Sequence, residues 1–137
     1  MKYLTILTII TLILTGCKND QNGIPYYPIN ITIHTDDPQW IGLSSTGGWE
    51  YVGGGSKGLI VFRINPDEFM AYERHCVYQI AEECKISVDS TEIIVEDKEC
   101  CGSRFNLYNG SVLEGPSVLP LHAYRTHFSN GVLQITN

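Results

Sequence analysis

A chain of 137 residues, 43% hydrophobic and 18% charged, can bury one hydrophobic core but not two. Its net charge of −6 offers no basic footprint for a phosphate backbone, which excludes nucleic acid as a partner. Five cysteines are a high count for this length, and what they do depends on where they fall.

The N-terminus comes first. Lys2 is followed by an apolar run from Leu4 to Leu14, diluted only by threonines. A helix that crosses a bilayer needs about 20 apolar residues, so this run is too short to span and suits a secretory signal. It ends in Leu14-Thr15-Gly16-Cys17, which resembles the lipobox of bacterial lipoproteins. The resemblance implies that residues 1–16 are removed and that Cys17 is lipidated. Several acyl chains then hold the protein to a membrane of the cell envelope, on its periplasmic or surface side. Loss of Lys2 would take the net charge from −6 to −7. Residues 18–23 are polar and read as a flexible tether, so residues 17–23 form the anchor and link, and residues 24–137 form one domain.

Within that domain the recurring period is two, the mark of half-buried strands, and strong helical periodicity is missing. Ile29 to Thr35 alternates, as does Trp49 to Val52. Gly58 to Ile64 is almost wholly apolar and reads as a strand buried on both faces. Asn65-Pro66-Asp67-Glu68-Phe69 is the one helical hint, with Asn65 as cap and Pro66 at the first position. Met70 to Glu73, Lys85 to Val88 and Glu92 to Val95 follow, the last two joined by a polar turn as a hairpin. Arg104 to Tyr108, Tyr124 to Phe128 and Val132 to Ile135 complete the set, with Asn130-Gly131 as a hairpin turn between the final pair. The fold class is all-β, a small sandwich or barrel.

The loop Gly53 to Gly58 has the composition of a phosphate cradle. It lacks the required Gly-x-x-x-x-Gly-Lys-Ser/Thr order and opens no helix, so it reads as a connection between strands. With Cys17 lipidated, Cys76, Cys84, Cys100 and Cys101 remain. In an exported domain they predict two disulfides, with a metal or iron–sulfur site as the competing possibility.

Two segments stand apart: Tyr72 to Tyr78, containing His75-Cys76-Val77-Tyr78, and Cys100-Cys101-Gly102-Ser103-Arg104-Phe105. The second continues to Gly115-Pro116-Ser117, Pro120-Leu121 and Tyr124. Together they resemble the Rieske [2Fe–2S] ferredoxin-like family, which carries Cys-x-His in one loop and Cys-x-x-His-Gly-Ser-x-Phe in the other. A Gly-Pro-Ala-x-x-Pro-Leu-x-x-Tyr stretch follows in that family. The likeness is clear from about Gly58 to the end and fainter back to Trp40. It implies a β-sandwich base of the Rieske-protein type with a small loop subdomain at the cluster position.

The resemblance also implies a cofactor, a [2Fe–2S] cluster with one iron on two Cys thiolates and the other on two His imidazoles. In register with Gly102-Ser103, the four ligand positions fall on Cys76, Tyr78, Lys98 and Cys101. Only Cys76 keeps its residue type. Tyrosine and lysine would each have to lose a proton, from pKa values of about 10 and 10.4, before binding iron, so the ordinary cluster cannot assemble. A rescued cluster would draw on Cys76, Cys101 and two of the other cysteines or His75, at a lower potential. Without a cluster, the family geometry implies the disulfides Cys76–Cys101 and Cys84–Cys100, with Cys76–Cys100 and Cys84–Cys101 as the alternative pairing.

Other candidates read as structural. His34, His122 and His127 stand alone on strand-like segments, and Glu82-Glu83 and Glu96-Asp97 read as solvated turns. His75 and Cys76 would point to opposite faces of a strand, which disfavours a nucleophile–base pair. No catalytic constellation is present, so an enzyme is not expected. The expectation is a lipid-anchored, cluster-free module that binds an envelope protein partner or serves a structural role. The alternative is an electron-transfer protein with an atypical [2Fe–2S] centre.

Overall fold

The computed structural model describes residues 23–137; the predicted signal segment, Cys17 and most of the tether lie outside the described residues. Ten strands are present among the described residues. They are β1 (Asn30–His34), β2 (Trp49–Val52), β3 (Leu59–Asn65), β4 (Glu68–Glu73), β5 (Ser87–Val88), β6 (Ile94–Glu96), β7 (Arg104–Asn106), β8 (Val112–Glu114), β9 (Ala123–Ser129) and β10 (Val132–Thr136). Six form one antiparallel sheet in the order β1-β10-β9-β4-β3-β2, and four form a smaller sheet in the order β5-β6-β7-β8. This is the expected all-β base with a small subdomain. Among the described residues no helix is long and apolar enough to cross a membrane.

The apolar run of β3 explains how the two parts join. Leu59, Ile60, Val61 and Phe62 are all completely buried. Because side chains alternate along a strand, Leu59 and Val61 enter a core lined by all six strands of the large sheet, together with Ile33, Val52, Phe69, Tyr124 and Leu133. Ile60 and Phe62 enter a second core with Tyr72, Ile86, Val95, Phe105 and Leu107, shared with the small sheet. Strand β4 divides in the same way, with Phe69 and Ala71 on one side and Tyr72 on the other. The β3–β4 ribbon is therefore a wall common to both cores.

The turn chemistry decides two local outcomes. Asn130 and Gly131 both take positive φ (50° and 78°), as a two-residue turn between β9 and β10 requires. Residues 65–69 form a hairpin turn, not the expected helical turn. The Asn65 side chain accepts from the Asp67 N–H at 2.9 Å and donates to Glu68 at 2.9 Å while Asn65 pairs with Glu68 across the ladder. Strand pairing between β3 and β4 outweighs the local capping signal. Strand β8 and two short 3-10 segments, Pro38–Leu43 and Ile80–Glu82, went unpredicted because each is too short to show periodicity.

Candidate functional site

Two loops converge at one end of the second core. The first runs from β4 to β5 and is closed as a hairpin. The Cys76 N–H donates to the Cys84 carbonyl at 2.9 Å, and the Ile86 N–H donates to the Arg74 carbonyl at 2.8 Å. The second joins β6 to β7 and is organised by Asp97. The Asp97 backbone bonds Ser103 and Gly102, and its Oδ1 accepts from the Cys100 N–H at 3.0 Å. Gly102 sits at φ +73°, where a side chain would be strained. The segment after β8 docks onto this loop through the Ser117 N–H, which donates to Ser103 Oγ at 2.9 Å.

The loops are tied by a disulfide between Cys84 and Cys100, 16 positions apart, with Cα atoms 6.3 Å from each other. Cys76 and Cys101 are free thiols. The expected Cys76–Cys101 bond is thus absent, as are both bonds of the alternative pairing. The physical reason is that both thiols face a carboxylate. A sulfur from each and an oxygen of Asp97 lie within 4.8 Å of one another. Cys101 Sγ donates to Asp97 Oδ2 at 3.2 Å, stands 3.0 Å from Ser103 Oγ, and accepts from the Ser103 N–H at 3.4 Å. Cys76 is completely buried, and burial pushes its thiol well above the ordinary value; a hydrogen bond to Asp97 adds to this, and the Tyr78 N–H opposes it. A thiol held in the protonated state is a poor nucleophile.

Asp97 corrects the reading of Glu96-Asp97 as a solvated turn. Glu96 pairs with Lys98 and Arg104, but Asp97 is completely buried. The available signal was the spacing from Asp97 to Cys100, since aspartate readily caps the backbone N–H groups that follow it.

Lys98 and Tyr78, the other two positions expected as ligands from the resemblance, are engaged elsewhere. The Lys98 ammonium bonds Glu96 at 2.8 Å with 60% of its side chain exposed, and that partner holds its proton more firmly than usual. Tyr78 packs, half-buried, against the second core. His75 cannot serve as a substitute, because both ring nitrogens are engaged. Nε2 donates to the Ile80 carbonyl at 2.9 Å, and Nδ1 is 2.8 Å from the Ser56 hydroxyl. With Cys84 and Cys100 bonded to each other, two thiols remain for a cluster that needs four ligands. The residues present do not fit a [2Fe–2S] centre.

A second buried carboxylate, also missed in the sequence, lies across the wall. Glu73 is 1% exposed and accepts from the N–H groups of Ser56, Lys57 and His75 at 2.8–2.9 Å, and from the Tyr124 hydroxyl at 2.7 Å. The glycine-rich loop does cradle an anion, but the anion belongs to the protein. His34 and His127 lie on exposed strand positions, and His122 stacks edge-on against Tyr124 at 5.1 Å, so none approaches the thiols as a ligand. An open groove of about 610 Å³ runs beside β9, lined by Tyr26, Tyr27, His122 and Arg125 among others; none of the predicted site residues lines it.

No protein-family model matches the sequence, and comparison with curated proteins finds no relative. Solved structures do match. The ferredoxin of carbazole 1,9a-dioxygenase from Nocardioides aromaticivorans IC177 superposes with a TM-score of 0.50 at 16% identity, covering 80% of this chain and 97% of that one. A chain from the complex of reduced oxygenase and oxidised ferredoxin in carbazole 1,9a-dioxygenase gives 0.49 at 20% identity, covering 80% and 92%. The chain has a Rieske-like ferredoxin fold.

Proposed function

We propose that this protein is a cluster-free Rieske-fold module, anchored by lipid at Cys17 to a membrane of the bacterial cell envelope, with a binding or structural role toward another envelope protein. The observation that carries the reading is the Cys84–Cys100 disulfide, which clamps the two loops that iron would otherwise clamp and withdraws two candidate ligands. The substitution of two family ligand positions by Tyr78 and Lys98 supports it. The lipobox-like Leu14 to Cys17 supports the anchor, and an oxidising envelope is where such a disulfide persists. Function resides in the site and not in the fold, so a redox role does not follow from the fold alone.

The test is the full-length protein purified in detergent. It should be colourless, contain neither iron nor acid-labile sulfide, and show two titratable thiols after unfolding without reductant. Mass spectrometry of the N-terminal peptide should find an acylated Cys17. Brown protein with stoichiometric iron and sulfide would replace this reading with that of an electron carrier.

A further inference from the structure

We propose that Cys76, Cys101 and Asp97 form a mononuclear site for a thiophilic divalent cation of the zinc type. The proposal rests on the cluster-free reading and gives that site a ligand.

The donor set selects the metal class. Two thiols and one carboxylate, with ligating atoms within 4.8 Å of one another, offer sulfur and oxygen to a single ion. Tetrahedral zinc takes both donor types, and its ligand–ligand edges of about 3.5–3.8 Å are within reach of small side-chain rotations. Calcium and magnesium require six or more oxygens and are poorly served here. The protein supplies three ligands, Cys101 is only partly buried, and water is the natural fourth ligand.

Three further observations point to the same site. The Asp97 carboxylate is completely buried, yet among the described residues no lysine, arginine or histidine pairs with it. A buried charge calls for a cationic partner. The Cys101 sulfur already receives the Ser103 N–H at 3.4 Å, an outer-shell donor of the kind that stabilises a metal-bound thiolate. Finally, the Cys84–Cys100 disulfide fixes the two loops in advance, so binding need not order them.

The step balances without redox chemistry. Two S–H bonds break, two metal–sulfur bonds and one metal–oxygen bond form, and two protons leave to solvent. A dication joining two thiolates and one carboxylate leaves the site with a net charge of −1.

Cobalt(II) is the probe, added to the full-length protein in detergent without reductant. One equivalent should produce thiolate-to-cobalt charge-transfer absorption and intense tetrahedral bands, and one equivalent of zinc should bleach them. Cys101→Ser should abolish the thiolate band, and Asp97→Asn should weaken binding by at least about 10–100-fold, the loss that outer-shell changes alone can cause. Circular dichroism checks folding, and Cys101, only partly buried where Cys76 and Asp97 are completely buried, gives the variant least at risk of misfolding. A colourless, iron-free protein with two free thiols and no thiolate band would overturn the site while leaving the cluster-free reading intact. So would a Cys76–Cys101 disulfide in the native protein, or cobalt binding unchanged in Cys101→Ser. Native iron and labile sulfide would overturn the reading and the site together.

Discussion

The Tyr124 hydroxyl donates to Glu73 Oε2 at 2.7 Å, joining two strands of the large sheet across 51 positions of sequence. With the N–H groups of Ser56, Lys57 and His75, it completes a shell of four donors around a buried anion. Hydrogen bonds to a charged group each contribute about 1.5–3 kcal/mol. Tyr124→Phe should therefore lower stability by about that amount, and Glu73→Gln, which turns an acceptor into a donor facing N–H groups, by about 3 kcal/mol or more. Urea denaturation of each variant measures the effect.

Gly55→Ala should be damaging for two separate reasons. Gly55 sits at φ +60°, and a Cβ there would collide with the Glu73 carboxylate and the Tyr124 hydroxyl. The strain and the clash act on the same hydrogen-bond shell, so this change combined with Tyr124→Phe should cost less than the sum of the two. A double-mutant cycle reads the coupling.

Tyr72→Phe should stabilise the protein. The Tyr72 ring fills the second core at 1% exposure, and its hydroxyl has no hydrogen-bond partner among the described residues. An unsatisfied buried hydroxyl costs about 1–3 kcal/mol, and removing it leaves the ring packing unchanged. A gain of about 1 kcal/mol in the denaturation midpoint analysis is expected; a loss would show that the hydroxyl has a partner.

Alkaline pH should weaken the fold. Burial pushes the Tyr72 phenol above its ordinary value of 10.0, and burial followed by the hydrogen bond to Glu73 does the same to Tyr124. A group whose folded pKa is raised contributes stability that is fully present below the unfolded value and is lost as pH rises through the folded one. The melting temperature should hold to about pH 9 and fall beyond 10, and the fall should be shallower in Tyr124→Phe.

Removal of the disulfide should be costly without being fatal. Closing a loop of about 15 residues is worth roughly 3 kcal/mol in the chain-entropy model. Cys84→Ser with Cys100→Ser should lose about that much, and the wild type in reductant should fall to the same midpoint.

Strand β3 was legible because four consecutive apolar residues leave no polar face for solvent, and Asn130-Gly131 was legible because few pairs tolerate two left-handed residues. The disulfide between Cys84 and Cys100 was anticipated from family geometry, whereas its proposed companion was not realised: the remaining sulfurs are free thiols grouped with the Asp97 carboxylate. Asp97 and Glu73 were invisible for a shared reason. Each is an acidic residue next to a polar neighbour, and burial follows from N–H groups that only the folded chain collects around it. Asn65 misled because its capping chemistry serves a hairpin turn as well as a helix.

The β3–β4 ribbon packs one face into each core, so neither sheet can loosen while its neighbour stays solid. Damage at one end of the molecule is then felt at the other. A lesion at Leu133 in the large sheet should speed amide exchange at Phe105 in the small one, and the domain should melt in a single cooperative event instead of shedding its loop-bearing cap first.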